Sequence, residues 1–181
     1  MQTTPSTPIV PAVRPSQTGS ARAPGAEIAS TAIAVTEARA RMGAYLLQQG
    51  VINQLQLEYA LQKNAIEGGK IGYTLIGHGL ASESQISRFL ATQRGIAFVD
   101  VSRLAAPEPE VFSLFNRDLC ITHKFLPRAR VDGSLEVVLG DGELATVADL
   151  VQRRTGLKAI FSQGEFTPVL QAIRSHFYDG V

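Results

Sequence analysis

The sequence predicts an α+β protein, with an N-terminal four-helix unit built from a tandem repeat and then a small α/β layer of about three strands. Three observations carry this. A 24-residue pattern occurs twice without a gap, at 41–64 and 70–93. Beyond residue 95, short extended runs alternate with amphipathic ones. Asp132-Gly133 stands between two of the extended runs and is a strong hairpin signal.

The chain begins with a tail. The first 40 residues hold five of the nine prolines and no aromatic residue. Such a stretch buries too little apolar surface to offset the entropy of ordering it. Residues 1–35 are therefore expected to be disordered. The rest divides into a helical subdomain at 36–103 and an α/β subdomain at 104–181.

In the repeat, Arg41 lies over Lys70, Gly43 over Gly72, Leu46 over Leu75 and Leu47 over Ile76. Further along, Gly50 lies over Gly79, Leu57 over Ile86, Leu61 over Leu90 and Asn64 over Gln93. Each unit reads as helix, glycine stop, helix. Gly50 and Gly79 suit the left-handed position that ends a helix. Asn53 and Ser82 stand where an N-cap belongs, with Gln56 and Gln85 three residues on, a capping-box pattern. Leu57 with Leu61, and Ile86 with Leu90, make an apolar face at i,i+4 spacing. Gly68-Gly69 and Gly95 end the second helices.

The remaining elements follow in order. FVDV at 98–101 is a short extended run, and 108–119 reads as one helix. KFLPRARV and SLEVVLG flank the hairpin turn. Residues 142–155 form an amphipathic helix stopped by Gly156. LKAIFS reads as a strand and 165–178 as a closing helix.

Composition narrows function. The 181 residues suffice for one domain or two small ones, and 45% hydrophobic content can supply a core. A net charge of +1 gives no basis for binding nucleic acid. No apolar run reaches the roughly 18 residues of a membrane span, so no direct membrane insertion is expected. The single Cys120 cannot pair within the chain, which points to a reducing compartment, and its apolar neighbours Leu119 and Ile121 suggest a buried thiol.

Catalytic signatures are lacking. Gly68-Gly69-Lys70 is the nearest approach to a phosphate-binding loop, but Ile71 takes the Ser/Thr place. His78, His123 and His176 have no metal-ligand spacing. No nucleophile elbow or carboxylate pair stands out, so the chain is read as non-enzymatic, with no metal and no cofactor. What the repeat offers is a binding site used twice. Each unit opens with a cation and a glycine, expected at a helix start, where free N–H groups accept phosphate. The amides of Asn64 and Gln93 suit a base edge or a phosphate. The plainer reading is that the glycines allow close helix packing and that Arg41 and Lys70 are merely solvated.

The repeated pattern R-L-G-x-x-L-(L/V/I)-x-x-G, continued by spaced leucines to a terminal Gln and recurring after a five-residue spacer, resembles the N-terminal domain of the type II secretion and type IV pilus assembly ATPases. It is most similar to the subgroup that acts as a cyclic di-GMP receptor. The run Gly95–Val101, Pro127, SLEVVLGD and Phe177-Tyr178 extend the resemblance to about 140 residues. It implies a receptor or regulatory domain whose two motifs wrap one cyclic di-GMP molecule. The first motif offers Arg41, Met42, Gly43, Leu46, Leu47, Gly50, Leu57, Leu61 and Asn64. The second offers Lys70, Ile71, Gly72, Leu75, Ile76, Gly79, Ile86, Leu90 and Gln93. Asp141 matches an acidic position in the α/β half that helps close the site.

The resemblance further implies a cytoplasmic protein, peripheral at the inner membrane through a protein partner in a secretion, pilus or polysaccharide export complex. The other reading is a structural docking adaptor that binds no nucleotide. Five departures bear on the choice. Asn64 is shorter than the family Gln, and Lys70 lacks the planar fork of Arg. Met42 and Ile71 replace Leu and keep the apolar contact. Ala81 fills a large aliphatic position. Losing one charge-assisted hydrogen bond costs about tenfold to a hundredfold in affinity.

Overall fold

The computed structural model describes residues 37–178, with Phe177 and Tyr178 described by their backbone alone. The tail expected over 1–35 lies outside the described residues. From Arg39 on, the chain forms one compact unit. Its helical part comprises α1 (37–48), α2 (Gln54–Glu67), α3 (Ile71–Gly77) and α4 (Glu83–Arg94).

The two repeats match down to their hydrogen bonds. After α1, Gly50 N–H donates to Leu47 O at 3.0 Å and Val51 N–H to Leu46 O at 2.9 Å. After α3, Gly79 N–H donates to Ile76 O at 3.0 Å and Leu80 N–H to Leu75 O at 2.9 Å. This pair of bonds is a Schellman stop, and it needs a left-handed residue. Gly50 and Gly79 supply it, at φ +65° and +66°. Both expected capping boxes form. Asn53 Oδ1 accepts from Gln56 N–H at 2.9 Å and Ser82 Oγ from Gln85 N–H at 3.2 Å, each glutamine bonding back to the cap N–H at 2.8 Å. Met42, Leu46, Ile52, Ala60, Ile71, Leu75, Ala81, Ile86 and Phe89 close one apolar core across both repeats. Leu46 and Leu75 have no exposure at all. Burying a leucine this fully contributes about 1.5–3 kcal/mol.

The second part comprises β1 (Ala97–Phe98), a 3-10 turn (Val101–Arg103), α5 (Pro109–Phe112), α6 (Arg117–His123), β2 (Phe125–Val131), β3 (Ser134–Leu139), α7 (Leu144–Thr155), β4 (Lys158–Gln163) and α8 (Phe166–Tyr178). The α+β class is as the sequence predicts. The sheet has four strands rather than about three, in the order β1-β4-β3-β2. The extra strand is β1, two residues long and parallel to β4. FVDV is extended only at its start, because Asp100 Oδ1 then accepts from Ser102 N–H at 3.1 Å and turns the chain. The hairpin joins β2 to β3 as expected, with Asp132 at φ 48° and Gly133 at φ 73°.

The single helix expected over 108–119 is two. Asn116 Oδ1 caps Leu119 N–H at 2.8 Å and starts α6 afresh. The break lets Val111, Phe112 and Phe115 all reach the second core, which also holds Cys120, Phe125, Leu126, Leu135, Val147, Val151 and Ile173.

Candidate functional site

The cation expected to open each repeat at a helix start does so only once. Lys70 is the N-cap of α3, because Gly68-Gly69, at φ +76° and +78°, breaks the chain before it. Arg41 instead lies inside α1, which already runs through 37–40. Glu37, Ala38, Arg39 and Ala40 are strong helix formers and nothing among them stops the helix. No helix-end phosphate cradle therefore forms at Arg41.

The other motif residues sort into three environments. Met42, Gly43, Leu46, Ile71, Gly72, Leu75 and Ile86 are buried. A Cβ on Gly43 would meet Leu57 Cδ1 at 3.0 Å, and one on Gly72 would meet Ile86 Cγ2 at 3.1 Å. Both glycines thus permit close helix packing. Leu47, Leu57, Ile76 and Leu90 are half-buried against the core. Arg41, Leu61, Lys70, Gln93 and the stop glycines Gly50 and Gly79 are exposed, Leu61 by 40%.

Asn64 and Gln93, equivalent in sequence, part ways. Gln93 is exposed, whereas Asn64 is 1% exposed. Asn64 Nδ2 donates to Gly68 O at 3.0 Å, Gly69 O at 3.3 Å and Thr74 Oγ1 at 3.0 Å. One amide thus fastens the link between the repeats, and Gly68-Gly69 serves as that link.

Asp141 comes from the loop after β3, and it meets the opening of the second repeat. Its Oδ2 accepts from Lys70 Nζ at 2.7 Å, Tyr73 OH at 2.9 Å and Lys124 Nζ at 3.3 Å, with the side chain only 12% exposed. Lys70 Nζ also donates to Asp141 O at 3.2 Å. Burial pushes the Asp141 carboxyl up, but hydrogen bonding and charge from Lys70, the Tyr73 hydroxyl and Lys124 outweigh it and hold it below the usual carboxylate range. Burial first, then the same carboxylate, raises the Tyr73 phenol. Lys124 Nζ also lies 5.7 Å from the Tyr73 ring centroid and 5.2 Å from that of Phe166, and the two rings pack edge to face at 5.8 Å.

A second junction lies behind it. Arg94 Nη1 donates to Gln163 Oε1 at 2.6 Å and Arg94 Nη2 to Gly142 O at 3.0 Å. Gln163, fully buried, donates from Nε2 to Leu139 O at 3.1 Å, Gly164 O at 2.9 Å and Gly140 O. Burial lowers the Arg94 pKa, against the pull of Asp141 and Glu143. A third tie is Glu83, whose carboxylate accepts from Thr167 N–H at the start of α8.

Sequence reasoning missed Tyr73, Glu83, Arg94, Lys124 and Gln163. A signal existed for three of them. Under the repeat alignment Tyr73 stands over Ala44, Glu83 over Gln54 and Arg94 over Ala65. The second repeat breaks its symmetry where it meets the α/β half.

The remaining chemistry-bearing groups are quiet. Cys120 is buried, and burial pushes its thiol up to about 12. His78 joins the Tyr59 hydroxyl at 3.4 Å to Glu67 at 3.1 Å. Among the described residues no group of His, Cys, Asp and Glu is arranged to hold a metal ion. Among the same residues no helix is long and apolar enough to cross a membrane.

No family model matches the chain. The type IV pilus assembly ATPase PilB of Thermus thermophilus is 32% identical over 114 residues, which is 62% of this chain and 13% of that protein. PilB of Myxococcus xanthus is 27% identical over 116 residues, 64% of this chain and 20% of that protein. Bacteriophage adsorption protein B of Escherichia coli is 27% identical over 117 residues, 65% of this chain and 15% of that protein. The chain thus spans a fifth or less of the length of each relative. Among solved structures, MshE with cdg superposes with a TM-score of 0.63 at 24% identity, covering 74% of this chain and 96% of that one. The N-terminal domain of XpsE gives 0.59 at 24% identity, covering 75% and 92%. The chain, a helical tandem repeat leading into a four-stranded mixed sheet, shares its fold with these two structures. Fold and sequence together match the chain to the N-terminal domain of the secretion and pilus assembly ATPases, with PilB among its relatives.

Proposed function

We propose that the chain is a cyclic di-GMP-binding regulatory domain that signals to a secretion, pilus or polysaccharide machine. The observation that carries this is the repeat itself. Two motifs of one pattern fold into units with the same Schellman stop and the same capping box, so equivalent side chains recur around one shared core. The fold shared with MshE, solved with cdg (cyclic di-GMP), supports the same ligand.

In this reading the buried motif residues shape the unit and do not touch ligand. Contact falls to the exposed set: Arg41 and Lys70 for phosphate or a guanine edge, Gln93 for a base edge, Leu61 and the half-buried Leu57 and Leu90 for base faces. Asp141 carries the state of Lys70 into the α/β half. Glu83 and Arg94 couple the same repeat to α8 and β4.

Calorimetric titration of the chain with cyclic di-GMP, with GTP and cyclic di-AMP as controls, is expected to give selective binding at one ligand per chain. Arg41→Ala is expected to weaken it about tenfold or more without unfolding the protein. Unchanged affinity in that variant would remove Arg41 from the site.

One observation favours a docking adaptor without nucleotide instead. Asn64 is consumed by the link between the repeats and is not presented to a ligand. On that reading no cyclic dinucleotide shifts the melting temperature.

A further inference from the structure

Two ammonium groups share one carboxylate oxygen at the boundary between the repeats and the α/β half. Lys70 Nζ and Lys124 Nζ lie 2.7 Å and 3.3 Å from Asp141 Oδ2. Two ammonium groups thus converge on one carboxylate oxygen, which cannot take up all their donors. Lys124 is not in the repeat and belongs to no motif. Its backbone is left-handed, at φ 54°, and closes α6. Its ammonium faces the Tyr73 and Phe166 rings, and its side chain remains 33% exposed. The cation is therefore positioned, unlike a freely solvated lysine.

An ammonium has three donors. Lys124 gives one to Asp141 and Lys70 gives two, to Oδ2 and to O. Each keeps donors for another anion. A phosphodiester carries one negative charge, and its two free oxygens can each take one ammonium. Lys70 alone lacks the paired donors of a guanidinium. A second ammonium beside it restores two-point recognition.

We propose that Lys124 is a phosphate-binding residue of the cyclic dinucleotide site, paired with Lys70, and that Asp141 is the counter-ion holding the two ammonium groups side by side. This rests on the cyclic di-GMP reading and adds to it a residue from the α/β half. Ligand would then bridge the two parts of the fold directly.

The test is calorimetry of the full chain with cyclic di-GMP at low and raised salt, for the parent, Lys124→Asn and Lys124→Arg. Asparagine tolerates the left-handed backbone and removes the charge, so the fold is kept. Lys124→Asn is expected to lose about tenfold or more in affinity and to show a weaker salt dependence, since a screened charge contact is gone. Lys124→Arg is expected to stay within a few-fold of the parent. A merely structural lysine would leave the salt dependence unchanged. The proposal is overturned if Lys124→Asn binds like the parent at both salt concentrations, or if Lys124→Arg binds as weakly as Lys124→Asn. A parent that binds no cyclic di-GMP overturns the ligand reading itself and this inference with it.

Discussion

At Asp141 one oxygen serves Lys70, Tyr73 and Lys124, and the carboxyl is held below its ordinary pKa. A group depressed in the folded state stabilises the fold above its unfolded-state pKa, and that contribution is lost as pH falls through the folded value. Chemical denaturation from neutral pH to about pH 3 should therefore show stability falling below the ordinary aspartate value of about 4. Asp141→Asn is expected to be less stable at neutral pH and to fall less steeply in acid. An equally steep acid limb in that variant would place the titrating group elsewhere. Asn64 teaches a different lesson at this scale. Its identity as a polar motif end was legible. Its burial was not, because that depends on Thr74 and on the carbonyls of a glycine link folding back over it.

Among the elements, the short helices are the most legible. The stops after α1 and α3 and the caps of α2 and α4 follow from local hydrogen bonds within six residues, which the sequence writes directly. A Cβ added at Gly50 or Gly79 would meet nothing within 4 Å, so Ala there incurs only the left-handed backbone cost, about 1–2 kcal/mol each. Thermal or chemical denaturation of Gly50→Ala and Gly79→Ala should give equal losses of that size. A much larger loss at one would mean the two stops are not equivalent. The break between α5 and α6 was less legible. An Asn in a helical pattern is ambiguous until the core claims Phe112 and Phe115 on either side of a turn. Strand β1 was weaker still, since two residues carry no period and β4 alone defines them.

Across the whole molecule, Lys70, Tyr73 and Glu83 of the second repeat, and Arg94 directly after it, tie the helices to the α/β half. Gln163 is the hub behind them, joining Arg94 to the carbonyls of the loop that carries Asp141. Gln163→Leu would strand the Arg94 guanidinium and buried carbonyls together, each worth about 1–3 kcal/mol. An unfolding experiment should show a loss of at least about 2 kcal/mol. An unchanged denaturation midpoint would show that the Arg94 junction bears little of the stability.

The repeat, its register, its stops and caps, and the turn at Asp132-Gly133 are all written in the local sequence. All of these are settled by neighbours along the chain and by backbone sterics. The burial of Asn64 and the exposure of its equivalent Gln93 came only from the tertiary structure. Tertiary structure also decided that Lys70 meets a carboxylate 71 residues away. The reason is that two copies of one pattern have different neighbours: the glycine link and Thr74 close over Asn64, whereas Lys70 meets the α/β half. Burial, pairing and pKa follow the surroundings, whereas helix ends follow the pattern.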